Sequence, residues 1–184
     1  MHELVLGGCK SGKSRCAERR AADWLAWPGR SACLLATALP LDAEMRERIA
    51  RHRQDRAARL PSVSAIEVPR HLPQVLRDMS AEHRMVMVDC LTLWLTNLMM
   101  PMEGEPITEA AWHEQQDDLV DTLRRARGPV VLVSNEIGLG VTPMGREARR
   151  FVDALGLLHQ RVAEVCSHVT LMVAGQELAV KGRR

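Results

Sequence analysis

The apolar positions of the chain fall into short unbroken runs, most of them followed by a longer stretch in which they recur three or four residues apart. Leu4, Val5 and Leu6 form the first run, and Ala17, Ala21, Trp24 and Leu25 then return at helical spacing. A second run, "ACLLATA" (residues 32–38), leads into "LPLDAEMRERIARHRQDRAARL", where Met45, Ile49 and His52 share one helix face until Pro61 ends it. After a weaker extended segment, "SAIEV" (64–68), the stretch "MVMVDCLTLWLTNLM" (85–99) predicts a strand ending at Asp89 and then a mostly apolar segment, closed by a Pro- and Gly-containing loop at 101–106. The spacing predicts a helix over 109–127, a buried strand "PVVLVS" over 129–134, and a long helix over 146–166. A polar, Gly-rich loop, "NEIGLGVTPMG" (135–145), separates the last two, and "HVTLMVAG" (168–175) is the final expected strand. Strands that do not alternate apolar with polar residues must be covered on both faces. The expected architecture is therefore α/β, a mostly parallel sheet with helices on both faces and ligands at the carboxyl ends of its strands.

The first strand runs straight into "GGCKSGKS": Gly7, Gly8, Cys9, Lys10, Ser11, Gly12, Lys13 and Ser14. Gly7, four residues, then Gly12, Lys13 and Ser14 is the spacing of a phosphate-binding loop, in a P-loop NTPase-like setting of strand, loop and helix. Backbone N–H groups wrap the phosphates, Lys13 supplies a mobile positive charge, and the Ser14 hydroxyl is placed to join a Mg²⁺ shell. A mere tight turn with a surface lysine would leave Ser14 and the helix N-terminus without an anionic partner.

Composition narrows the picture without redirecting it. A chain of 184 residues, 46% hydrophobic and 26% charged, suits one well-buried domain spanning 1–184. Lys and Arg number 25 against 23 Asp and Glu, and a net charge of +2 argues for neither nucleic acid nor an anionic membrane as a general partner. No apolar stretch approaches the roughly 18 residues of a membrane span. Five cysteines without a C-x-x-C pair fit reduced thiols in a cytoplasmic protein, with neither a zinc site nor a disulfide framework. The opening "MHELVLGG" lacks the basic region and long apolar stretch of a signal peptide.

Three further places carry candidate chemistry. Asp89, at the end of "VMVD", has the position of a carboxylate that holds Mg²⁺, the preferred reading, and also that of a cap for the next helix; both roles can hold together. His52 sits on the Met45 and Ile49 face, where a packed histidine is the common case; Arg51, Arg53 and Arg56 beside it would gather a triphosphate, and an attack on phosphorus would need the neutral ring. The arginine-rich stretch 46–59 reads either as a solvated helix face or as a phosphate-facing surface. Asn135 and Glu136 stand at a strand's carboxyl end beside glycines that permit close approach of a ligand, or form a loop satisfied by its own side chains.

Taken in order, "LVLGGCKSGKSRCAE", "LLAT", "DAEMRERIARHRQDR", "VMVDCLTLWLTNLM", "VLVSNEIGLGVTPMGREARRFVDALGLLHQRVAE" and "VTLMVAGQELAVKG" resemble the bifunctional adenosylcobinamide kinase and adenosylcobinamide-phosphate guanylyltransferase family of cobalamin biosynthesis, over essentially the whole chain. The resemblance implies that His52 becomes covalently linked to GMP. It implies nucleotide contacts from Ala36, Thr37 and Ala38 and from Arg53, Gln54, Asp55 and Arg56, and contacts to the nucleotide or its metal from Glu67 and Asp89. "NEIGLG", with Asn135 and Glu136, is a signature of the family. Departures are visible too: Arg51 stands where relatives often have a second histidine, Val63 and Ala65 replace a Trp and a Thr, and Leu39 replaces a polar residue.

The activity so implied has two halves. The aminopropanol hydroxyl of adenosylcobinamide attacks the γ-phosphorus of ATP or GTP; GMP from GTP then passes through His52 to adenosylcobinamide phosphate, giving adenosylcobinamide-GDP. Mg²⁺ is the implied cofactor, and a closed homo-oligomer, a trimer by preference, the implied assembly. A small-metabolite kinase without the transfer half needs only the loop and Asp89. A regulatory GTP switch would call for Asn-Lys-x-Asp and Asp-x-x-Gly, where this chain has "SNEIG" and "VDCLT". A nucleotide-dependent scaffold would show no substrate turnover.

Overall fold

The unbroken apolar runs become the strands of one sheet. The computed structural model describes residues 1–182, apart from the side chain of Arg48 in the arginine-rich stretch. Its strands are β1 (His2–Gly7), β2 (Ser31–Ala36), β3 (Ser64–Glu67), β4 (Arg84–Asp89), β5 (Val130–Asn135), β6 (His168–Val173) and β7 (Gln176–Lys181). They lie in the order β3-β2-β4-β5-β1-β6-β7, and every pairing is parallel except β6 with β7. β4 and β5 are central and buried along nearly their whole length, as their Val- and Met-rich runs require.

Six helices flank the sheet among the described residues: α1 (Lys13–Leu25), α2 (Ala43–Arg59), α3 (Leu72–Met79), α4 (Leu91–Met99), α5 (Glu109–Arg125) and α6 (Arg146–Val165). Cys16, Ala17 and Ala21 of α1 pack one face, against Val5, Met87, Val131 and Val133. α3 to α6 cover the other, where Leu76, Trp94, Leu119 and Leu158 meet Leu4, Leu35, Val88 and Leu132. Trp94 anchors that side, with its ring 5.5 Å from Trp112 and its Nε1 donating to the Arg70 carbonyl at 2.8 Å. The apolar segment after Asp89 is thus a buried helix, α4, while α3 was not anticipated.

α2 is held mainly at its ends. The Asp42 carboxylate accepts from the Met45 N–H at 2.6 Å and caps its start; at its finish Leu60 is buried and Arg59 donates to Glu18 of α1 at 2.6 Å. Most of the helix between is exposed.

The expected last strand, 168–175, is in fact the first arm of a hairpin. Ala174 (φ 49°) and Gly175 (φ 78°) both take left-handed backbone, the requirement of a two-residue turn, and β7 returns antiparallel. "AG" lacks the Asn-Gly or Asp-Gly signature of such turns, so the sequence reads as one strand running out. The hairpin matters to the site: the Gly175 N–H donates to the Ser11 carbonyl at 3.0 Å, bracing the glycine loop from behind. Glu177 on β7 also accepts from Arg19 (2.7 Å) and Arg20 (3.2 Å) of α1, and Arg20 donates to Glu3 of β1 at 2.9 Å.

Hydrogen bonding from Arg20 holds the Glu177 carboxyl down at about 2, below its usual 4.5. A depressed carboxyl contributes stability that is fully present above the unfolded value and is lost as pH falls toward the folded one. Glu177→Gln should therefore melt lower than wild type at neutral pH, and the two melting curves should converge as pH drops from 4.5 toward 2. A constant gap over that range in thermal melts would remove Glu177 as the brace between β7 and α1.

Candidate active site

β1 ends at Gly7, whose φ of 151° and surroundings leave no room for a side chain: a Cβ there would lie 2.6 Å from the Met172 carbonyl oxygen and from Ser11 Oγ. The chain then turns through exposed Gly8, Cys9 and Lys10, the Ser11 N–H donates to the Gly8 carbonyl at 3.3 Å, and α1 starts at Lys13. The Lys13 side chain is only 8% exposed and folds back over its own loop, its ammonium donating to the Gly8 carbonyl at 2.6 Å. No acidic residue occupies the first turn of α1, so the helix dipole and its N–H groups are left for an external anion.

Ser14, in that first turn, donates from its hydroxyl to Asp89 Oδ2 at 2.8 Å, tying α1 to the carboxyl end of β4. The capping alternative for Asp89 fails. Cys90 occupies the N-cap of α4, which carries no side-chain cap bond, and the Asp89 carboxylate faces Ser14 instead.

Ser14 and Asp89 open into a cavity of ≈ 280 Å³ that is also lined by His52, Arg53, Arg56 and Asn135. α2 roofs it with the Met45, Ile49 and His52 face expected from the spacing, and Leu34, Ala36 and Leu93 supply apolar walls. His52 is exposed, which removes the packed-histidine reading. Arg53 pairs with Glu67 across the cavity, and both residues line it. Ala36 and Ala38 line it as well.

Other expected contacts fall outside. The Thr37 hydroxyl is fully buried, donating to the Cys90 carbonyl at 2.7 Å and accepting from the Cys90 N–H at 2.8 Å, so its side chain knits β2 to the start of α4. Gln54 and Asp55 are exposed on α2 and are not among the cavity's lining residues. Asn135 and Glu136 part company: Asn135 lines the cavity, whereas Glu136 accepts from the Gly138 N–H at 2.6 Å and faces His159 Nδ1 at 3.6 Å. Leu34 and Leu93, which wall the cavity, and Thr92, Ser134 and His159, which lie behind it, were missed because they come together only through the sheet and α6.

A glycine loop with a buried lysine folded over it, followed by a helix whose Ser14 reaches Asp89 at the carboxyl end of β4, defines the chain as an α/β nucleotide-binding protein of the P-loop kind. Residues 3–180 match the family model described as cobinamide kinase / cobinamide phosphate guanyltransferase, and the chain belongs to that family. Among curated relatives, it is 43% identical over 182 residues to the bifunctional adenosylcobalamin biosynthesis protein CobP of Pseudomonas aeruginosa, covering 99% of this chain and 98% of that one. It is 35% identical over 186 residues to the bifunctional adenosylcobalamin biosynthesis protein CobU of Salmonella typhimurium, covering 97% and 98%. Among solved structures, the flagellar accessory protein FlaH of Methanocaldococcus jannaschii superposes with a TM-score of 0.56 at 13% identity, covering 99% of this chain and 78% of that one. A protein from Pyrococcus horikoshii OT3 does so with a TM-score of 0.57 at 9% identity, covering 100% and 87%. These two likenesses concern the fold alone.

Proposed function

We propose that the chain, as a single nucleotide-binding domain over 1–184, phosphorylates adenosylcobinamide with ATP or GTP and then transfers GMP from GTP to the product through His52, giving adenosylcobinamide-GDP. The observation that carries this reading is that one cavity joins His52 to Ser14 and Asp89 beside the glycine loop. The bifunctional names of the relatives support it at identities of 33% to 43% over almost the entire chain.

In the kinase half, the loop N–H groups and the α1 N-terminus hold the triphosphate, and Lys13 moves its ammonium from the Gly8 carbonyl onto the transferring phosphate. The hydroxyl of the aminopropanol arm attacks the γ-phosphorus in line with the departing diphosphate. In the transfer half, a ring nitrogen of neutral His52 attacks the α-phosphorus of GTP, the bond to pyrophosphate breaks, and a phosphorus–nitrogen bond forms. An oxygen of adenosylcobinamide phosphate then attacks that phosphorus and imidazole leaves. Arg53 and Arg56, on the same face, offset the charge that gathers there.

The donors present fit Mg²⁺. Ser14 and Asp89 offer oxygen ligands only, and among the described residues no group of three His, Cys, Asp or Glu side chains could hold a metal by itself. That suits an ion whose remaining ligands are phosphate oxygens and water. When bound, Mg²⁺ supplies positive charge against the phosphate oxygens. Asp89→Asn should raise the Mg²⁺ concentration for half-maximal activity by at least about tenfold; an unchanged requirement would mean that the metal is held elsewhere.

The reading is tested by supplying purified protein with adenosylcobinamide, Mg²⁺ and ATP, then GTP. The corrinoid should gain one phosphate in the first step and GMP in the second, with release of pyrophosphate. Phosphorylation without the second step leaves a simple kinase, and no conversion of the corrinoid rejects the reading.

A closed homo-oligomer, preferably a trimer, and a cytoplasmic location complete it. Leu139, Val141 and Met144, beyond Asn135, are 81%, 97% and 96% exposed, and such apolar surface supports a covering neighbour. Five free cysteines support a reducing compartment. Among the described residues no helix is long and apolar enough to cross a membrane.

A further inference from the structure

β5 lies between the strand that carries the glycine loop and the strand that carries Asp89. Its last residue, Asn135, is paired in register with Gly7, and Val133 with Asp89, so Asn135 lines the cavity between the strand of the phosphate loop and the strand of the carboxylate. A terminal phosphate held by the loop would lie against that amide. This placement rests on the reading above only in that the cavity takes a nucleoside triphosphate.

Behind Asn135 runs a buried polar chain that neither half-reaction uses. The Asn135 N–H donates to Thr92 Oγ1 at 2.8 Å; Thr92 Oγ1 is 3.0 Å from Ser134 Oγ; Ser134 Oγ is 2.8 Å from His159 Nε2; and His159 Nδ1 faces Glu136 at 3.6 Å. Thr92, Ser134 and His159 are 9%, 0% and 7% exposed. A backbone N–H can only donate, so Thr92 Oγ1 accepts from Asn135. The direction of the rest is set from the other end: a carboxylate only accepts, so a neutral His159 ring carries its proton on Nδ1 toward Glu136, Nε2 accepts from the Ser134 hydroxyl, and Ser134 accepts from that of Thr92. Burial lowers the His159 pKa against the opposing pull of Glu136, in keeping with the neutral ring this direction needs.

We propose that Asn135 contacts the terminal phosphate of the bound nucleotide and that Thr92, Ser134 and His159 are positioning residues that fix it there, with Glu136 setting the tautomer of His159. The chain joins β5, α4 and α6 at the backbone N–H of Asn135, so the main chain that carries this side chain is held by three elements. Groups that act as one device lose their effects together and not additively.

The test compares Mg²⁺-dependent affinities for ADP and for a non-hydrolysable imido analogue of ATP, alongside kcat and KM for ATP. Asn135→Ala should lower the preference for triphosphate over diphosphate by about tenfold, the effect of losing a hydrogen bond to a charged group, with ADP affinity held. Thr92→Val should reproduce most of that loss and reduce kcat more than KM, and Thr92→Ser, which keeps the hydroxyl, should restore both. His159→Gln, with an acceptor for Ser134, should outperform His159→Phe; should the Phe variant fail to fold, the Thr92 pair decides. Thr92→Val should add little once Asn135 is Ala. A normal triphosphate preference in Asn135→Ala overturns the phosphate contact, and a normal preference in folded Thr92→Val, or full additivity in the double variant, overturns the positioning chain. Because the affinities need no corrinoid, these outcomes stand apart from failure of the proposed activity, which would appear as wild-type protein that binds nucleotide and leaves the corrinoid unchanged.

Discussion

Lys13→Ala is expected to lose corrinoid phosphorylation by about 10²- to 10³-fold, the scale seen when one donor to a developing charge is removed, while folding normally. The two consequences separate because Lys13 does different things in the two balances. In the fold its ammonium donates to the carbonyl of Gly8, an exposed residue that water can reach, so the effect on stability should be small beside the effect on turnover. In the reaction its ammonium meets charge that develops on the transferring phosphoryl group inside a partly closed cavity, where water is a poor substitute. Both half-reactions should fall, since one loop holds the triphosphate in each. Turnover with ATP and with GTP, read beside a thermal melt, checks this; near-normal turnover in a folded variant removes the phosphate-loop assignment.

What was legible in the sequence depended on whether the determining residues lie close together along the chain. β4 and β5 could be read because burial on both faces writes itself as an unbroken apolar run. The glycine loop could be read because its strand, turn and helix are contiguous. β7 could not: its residues are exposed, and its turn is made by Ala174 and Gly175 without the usual signature. The site divides in the same way. Helical spacing put His52 with Met45 and Ile49, but whether that face met core or cavity depended on the anchors of α2, Asp42 at one end and the Arg59 pair with distant Glu18 at the other. Whether Asp89 caps the next helix turned on Ser14, 75 residues earlier, which its carboxylate faces instead. Thr92, Ser134 and His159 have no spacing relation at all, since only the packing of α4 and α6 around the end of β5 brings them together.

Protein mixed with α-labelled GTP and Mg²⁺, without corrinoid, is expected to keep the label after denaturation. His52→Asn should abolish that labelling while leaving the kinase half largely standing. His52 is exposed on α2, and Asn differs little from His in helix propensity, so the substitution should change stability by only about 0.5 kcal/mol or less and any loss of labelling is chemical. Kinase turnover needs the acceptor hydroxyl, the γ-phosphate, its metal and the 7–14 loop, none of which the variant removes. The bond should also identify itself: phosphorus attached to imidazole nitrogen has a leaving group that is readily protonated, so the label should be lost in mild acid and survive alkali, the reverse of the alkali lability of an acyl phosphate on Asp89 or Glu67. γ-Labelled GTP should leave nothing on the protein, because that phosphate departs in pyrophosphate. Wild-type protein that stays unlabelled while turning over corrinoid, or an Asn variant that labels normally, would end the covalent role of His52 and leave α2 as a roof over a simple kinase site.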